Sequence, residues 1–297
     1  MPTAGLRLPV LLQCCVLWCL CTCASGKPLT FLEQYDFVSA FDHPNVTVAL
    51  NGMSVISFPE PAPLPLHAWR PHHRRLSRVP DTPTPWAKGQ TAFDWRDKVD
   101  LPAPHQQKHN ACYLETTAVT LDALFQTLFN KPARFDPDTL LRCAHMRAGE
   151  LGLPSDVLKL TKVFAENGKC RRHGTGMRLA EPPLVLCDVC GDSDVENRLE
   201  DMLAYAPVSV GIESTNPVFR LYSGGVLSPE HVETTKGVVD HAVSLVGFGE
   251  DDGKEYWVVR NSWGEDWGEG GYGRVERRRD GTGVLGSYAA VTRADKV

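Results

Sequence analysis

The sequence predicts an α+β fold, with helices in the first half of its main domain and antiparallel strands in the second. Three observations carry this. Apolar residues recur at helical spacing between Cys112 and Ala206. After Pro207, strand-like runs separated by Gly and Asp-Gly turns take over. A proline-rich stretch without clear periodicity precedes residue 91 and sets that domain apart. Helices first and strands afterwards is an α+β layout. The 297 residues, 42% hydrophobic and 23% charged, suffice for one large domain or two small ones. A net charge of −5 gives no reason to expect nucleic-acid binding.

Residues 1–26 read as a secretory signal peptide. Arg7 precedes an apolar run from Leu8, which ends in small residues near Ala24 to Gly26. The alternative is a membrane anchor, but the run is short, and no later stretch suits a bilayer span. Residues 27–90 read as a propeptide. "FLEQYDFVSAF" suits a short amphipathic helix, and "NVTVALNGMSVISF" is partly strand-like, with a glycosylation sequon at Asn45. A basic, Pro-rich linker follows, its core running from His67 to Arg78. It is either a solvated linker or a processing segment. Beyond residue 90 the chain holds 24 basic and 31 acidic residues, so a cationic segment faces an acidic domain. His67, His72 and His73 would change that balance as the pH falls.

The main domain, residues 91–297, opens with an extended arm. "CYLETTAVTLDALFQTLFN" has helical spacing in Val119, Leu121, Leu124, Phe125, Leu128 and Phe129. "FDPDTLLRC" and "LPSDVLKLTKVFAENG" read as two further helices with acidic or Ser/Asp starts, and "ENRLEDMLAYA" as a short fourth. "VSVGIE", "HAVSLVGFGE", "EYWVVRNSW" and "GYGRVERR" read as strands. The "EDDGKE" turn makes the middle two an antiparallel pair, which brings His241 and Asn261 together. An Asn oxygen can accept the imidazole N–H and fix its tautomer.

The run "DHAVSLVGFG" with "YWVVRNSWGEDWGEGGYGRV" resembles the papain-like cysteine peptidases, the cathepsin family. The resemblance implies a two-lobed fold, a helical lobe and a β-rich lobe with the active-site cleft between them. It implies that His241 is the general base and acid, Asn261 its orienting partner, and Trp263 a shield for that pair. In "FDWRDKVDLPAPHQQKHNACY", Pro102 lies four residues before Gln106 and Gln106 six before Cys112, the family's steps. By that likeness Cys112 is the nucleophile and Gln106 an oxyanion donor. A cysteine opening a helix sits at the positive end of the helix dipole, beside unpaired N–H groups, which favours the thiolate.

The segment departs from the family around the nucleophile. Where the family reads "CGSCWAF", this chain reads "HNACYLE", placing His109, Tyr113 and Glu115 in the altered positions. Glu115 either points away and caps the helix, or weakens catalysis by raising the thiol pKa. The likeness implies a disulfide between Cys143 and Cys170, while both partners of two other family bridges are missing. Cys187 and Cys190 form a CxxC, read as a local disulfide rather than half a zinc site or a redox pair. Five of the ten cysteines fall in the signal, and two bridges then leave Cys112 as the odd thiol.

Substrate contacts follow by the same likeness: Gly152 pairing with an extended peptide, Leu151 beside it, and Val238 and Ser287 lining the main pocket. The expected activity is a cysteine endopeptidase acting through an acyl-enzyme, made as a secretory zymogen and residing in a lysosome-like compartment or outside the cell. No cofactor or metal is implied. The expected partners are a peptide or protein substrate, the chain's own propeptide as inhibitor, and protein inhibitors. The expected state is a monomer with no membrane span in the mature chain. The other readings are a weak or inactive papain-fold protein that binds peptides or proteins, and a peptide ligase.

Overall fold

The structure, a computed structural model, describes residues 30–51, 90–108, 110–132, 134–146, 152–160, 164–166, 169–171, 177–179, 183–187, 195–232, 239–280, 282–285 and 288–296. The proposed signal, the linker with its histidines, His109, Leu151, Cys190, Val238 and Ser287 lie outside them, as do the side chains of Cys170 and Cys187.

The N-terminal segment opens with α1 (Phe31–Ala40). Thr30 and Glu33 start it with a capping box, each side chain bonding the other's backbone. A short strand, β1 (Val46–Val48), follows. The main domain begins with β2 (Phe93–Asp94) and a single 3-10 turn, Trp95–Asp97.

The expected long helix is α2 (Cys112–Phe129), ended by Asn130 in the left-handed region at φ 52°. Every residue from Cys112 to Leu124 is buried, so this is a central helix rather than a surface one. Its polar residues are accommodated locally. Thr117 donates to the Tyr113 carbonyl at 2.7 Å and Thr120 to the Pro207 carbonyl at 2.8 Å, while Asp122 accepts the Phe135 N–H at 2.9 Å.

Next come α3 (Pro137–Cys143), capped by Asp136, and α4 (Pro154–Leu160). The sequence expectation of one helix through "LPSDVLKLTKVFAENG" is corrected here. Phe164–Glu166 is a strand, β3, and pairs antiparallel with β4 (Lys169–Arg171). The Asn167-Gly168 dipeptide is a strong hairpin signal, and it outweighs the apolar spacing that precedes it. Cys143 is disulfide-bonded, and α3 packs against β4, the strand that carries Cys170. Cys112 is the free cysteine among the described residues.

After β5 (Met177–Leu179) and β6 (Leu184–Cys187) come α5 (Val195–Leu203), β7 (Val208–Ile212) and the short α6 (Pro217–Arg220). The chain then runs through β8 (Tyr222–Leu227), β9 (His241–Asp251), β10 (Lys254–Arg260), β11 (Tyr272–Glu276), β12 (Tyr288–Val291) and β13 (Ala294–Lys296). Eight strands form one path, β1-β8-β11-β10-β9-β7-β12-β6, with β2 added beside β9. All pairs are antiparallel except β8 with β11, in keeping with the antiparallel β-rich lobe expected. Trp257, Tyr222 and Tyr288 are fully buried on this sheet, and buried Trp267 packs against Tyr222. The helix α2 packs against β9 and β7, which brings the start of the helix to the start of β9.

Candidate active site

Cys112 is the first residue of α2. Its N-cap, Ala111, supplies no side-chain bond, so the first N–H groups of the helix are left for other acceptors. The thiol is buried, and the Ala242 N–H, on the residue after His241, favours its thiolate form. The helix of the nucleophile candidate and the histidine strand pack against each other.

His241 opens β9 and Asn261 immediately follows β10. Register brings them together, since Arg260 pairs with Ser244 at the same end of the hairpin. The His241 Nε2 lies 2.8 Å from Asn261 Oδ1. An amide oxygen only accepts, so Nε2 carries the proton. Asn261 Oδ1 is held in turn by the Ser262 N–H at 2.8 Å. The Trp263 ring stacks on the imidazole, centroids 4.8 Å apart and planes 25° off parallel. Phe219 and Trp267 back the tryptophan edge-on, so the roof over His241 is rigid.

Gln106 is exposed and pairs its backbone with Trp263. The next residue, Gln107, donates its N–H to the Ser262 carbonyl at 2.7 Å. Arg260, which the sequence reading missed, anchors the same segment from below. Its buried guanidinium donates to the carbonyls of Pro102 at 3.2 Å and Ala103 at 3.1 Å. Gly152 is buried against the ring of Tyr113, and a Cβ there would lie 2.7 Å from Tyr113 Cε2 and 2.6 Å from Met146 Cε. The glycine is thus required by packing beside the residue that follows Cys112.

Burial sets the protonation of the pair. It pushes the Cys112 thiol up to about 11, against the lowering effect of the Ala242 N–H, and the nearby Asp240 charge adds to the rise. It pushes His241 down to about 4, with the Asn261 bond opposing. In this closed arrangement both groups are neutral at neutral pH. Asp240 is a second residue the sequence reading missed. It accepts the Ser214 N–H at 2.7 Å and is itself pushed up to about 6 by burial.

Glu115 is buried, but it does not cap the helix. Its Oε1 lies 3.0 Å from Nε2 of His105, and Arg260 adds a second positive charge nearby. Its charge is answered locally rather than directed at the thiol.

The match to the papain family cysteine proteases spans residues 89–292, most of the chain. The chain belongs to that family. Among curated relatives it is 32% identical over 208 residues to cysteine proteinase 2 of Zea mays, covering 64% of this chain and 56% of that one. It is 31% identical over 221 residues to the thiol protease aleurain of Arabidopsis thaliana, covering 67% and 59%. The matched region thus spans somewhat over half the length of these relatives. Two solved structures share the fold. The proform of the ragweed pollen allergen Amb a 11 gives a TM-score of 0.64 at 21% identity, over 89% of this chain and 87% of that one. Digestive procathepsin L 3 of Tenebrio molitor gives 0.65 at 17%, over 89% and 90%. The α+β, two-lobed papain fold is therefore the fold of this chain.

Proposed function

We propose that this protein is a cysteine endopeptidase that hydrolyses peptide bonds through Cys112 and is made as a secretory zymogen. One observation carries the reading. A cysteine opens a helix that packs on the strand whose first residue, His241, is fixed by Asn261 at 2.8 Å and roofed by Trp263. With Nε2 committed to Asn261, Nδ1 is the nitrogen available to take the thiol proton. The thiolate attacks the scissile carbonyl, and the Cys112 N–H with the Gln106 amide receives the oxyanion. His241 protonates the leaving amine and then draws a proton from the water that releases the acyl-enzyme. Gly152, Leu151, Val238 and Ser287 line the substrate side, by likeness to the family.

Residues 27–90 act as the propeptide. The pairing of β1 with β8 supports this, as do the Ala49 N–H bond to the Leu221 carbonyl and the Asn51 bond to the Arg220 carbonyl. The described closed state is then the precursor, in which burial keeps thiol and imidazole neutral. Activity then requires that water and substrate reach the pair once the segment is removed, so that the ion pair forms. Exposed Asn45 is the glycan site, Cys143 pairs with Cys170, and Cys187 with Cys190. Residues 1–26 direct the chain into the secretory pathway, toward a lysosome-like compartment or the exterior, where the mature chain is a monomer.

The neutral pair also favours a second reading, a papain-fold protein of weak or no activity that binds peptides. A peptide-library digest with the processed protein separates the two. Cleavage that disappears in Cys112→Ala supports the peptidase. Peptide binding without cleavage supports the binder.

A further inference from the structure

His105 and Glu115 lie outside the catalytic set, yet they join two parts of it. His105 immediately precedes Gln106, whose backbone bridges to that of Trp263. Glu115 lies one helical turn after Cys112. Their side chains meet at 3.0 Å, with the histidine about half exposed and the carboxylate buried, at 5% exposure. The Ala103 backbone, with Glu115, favours the charged form of the imidazole. An imidazolium makes a charge-assisted bond to the carboxylate, stronger than the bond a neutral imidazole makes.

We propose that His105 and Glu115 form a proton-dependent clamp that positions the Gln106 segment against the start of the Cys112 helix. They are positioning residues, and the consequence for catalysis rests on the peptidase reading above. The charges around the pair fit the role. Arg260, from the end of β10, faces both members. It attracts Glu115 and disfavours the charged form of His105. Its guanidinium is committed to the Pro102 and Ala103 carbonyls, so it fixes the root of the segment but not its tip. Asp122 is its other anionic neighbour, deeper along α2, and is pushed up to about 6 by burial. The tip is left to His105 and to the backbone bonds at Gln106 and Gln107.

The sign of the pH dependence follows. Glu115 holds His105 above its ordinary value of 6.5, chiefly through the hydrogen bond. A raised imidazole contributes fully below pH 6.5 and loses its contribution as the pH rises through the raised value. The clamp is tightest in acid and loosens toward alkaline pH, when the His105–Glu115 bond loses its charge assistance.

The test uses the full chain after processing and two variants, His105→Gln and Glu115→Gln. With a peptide substrate, His105→Gln is expected to lower kcat by about tenfold at pH 5 with KM little changed, as for lost transition-state positioning. Above the pH at which His105 is seen to titrate, the same variant is expected to approach the parent, whose clamp has then lost its charge assistance. A merely structural role would lower activity by the same factor below and above that pH, and that result would overturn the proposal. The second readout needs no activity. The His105 Cε1–H resonance should titrate above 6.5 in the parent and move down in Glu115→Gln. A parent His105 that titrates like a free imidazole removes the clamp, whatever the activity. A raised His105 in a protein that cleaves nothing keeps the clamp and removes the peptidase reading instead.

Discussion

At the scale of single residues, the proposed chemistry depends on what holds each group rather than on which groups are present. Asn261 Oδ1 takes two hydrogen bonds, from His241 and from the Ser262 N–H, and so selects one imidazole tautomer. Asn261→Ala should leave the fold intact and lower kcat on the order of 10²-fold, because the ring loses its orientation. Steady-state kinetics beside a circular dichroism spectrum would check this. Equal losses in helical signal and activity would contradict it. Gly152 gives a stability prediction of the opposite kind. A methyl there meets Met146 and the Tyr113 ring at 2.6–2.7 Å, so Gly152→Ala should cost about 1–3 kcal/mol, read as a lowered Tm. An unchanged Tm would mean that Tyr113 turns aside without cost.

At the scale of elements, the pairing of β1 with β8 brings two histidines into contact. His43 precedes β1 and His231 follows β8, and their Nε2 atoms lie 3.1 Å apart with the rings edge-on. Each Nδ1 accepts a backbone N–H, from Asn45 and from Ser228. Burial first, then His43, holds His231 below the ordinary imidazole value; Glu230 and Glu276 oppose this, and Lys254 adds to it. A lowered imidazole supports the docked state above pH 6.5, and that support is lost as the pH falls through the lowered value. Acid should therefore release the N-terminal segment, and His43→Gln should keep it docked to lower pH. Hydrogen exchange of the Val46–Val48 amides against pH measures this; identical profiles for variant and parent would contradict it. The sequence reading had placed the pH response in His67, His72 and His73, because contacts between residues 188 positions apart leave no local signal.

The same limit explains what else was legible. The helix from Cys112 was readable from its own spacing, and the β9–β10 hairpin from its turn, so Cys112 could be set at a helix start and His241 beside Asn261 in advance. The parallel pairing of β8 and β11 joins strands far apart in sequence, and the strand β3 competed with a convincing apolar pattern. Arg260, Asp240 and the partner of Glu115 escaped because each acts through a tertiary contact that residue type alone does not specify.

At the scale of the whole molecule, α2 is sunk between the helical lobe and the sheet, so that burial governs the thiol at its tip. That burial raises Cys112 to about 11 and lowers His241 to about 4 in the closed form. The proposed peptidase needs the opposite balance once the N-terminal segment is gone. The most direct measurement is the rate of Cys112 alkylation against pH, in the full chain and after processing, with Cys112→Ala as control. The expected result is slow labelling of the full chain and, after processing, fast labelling that persists well below the ~8.5 of a free cysteine. Labelling of the processed protein that rises only near that value would contradict a thiolate–imidazolium pair, and with it the proposed peptidase.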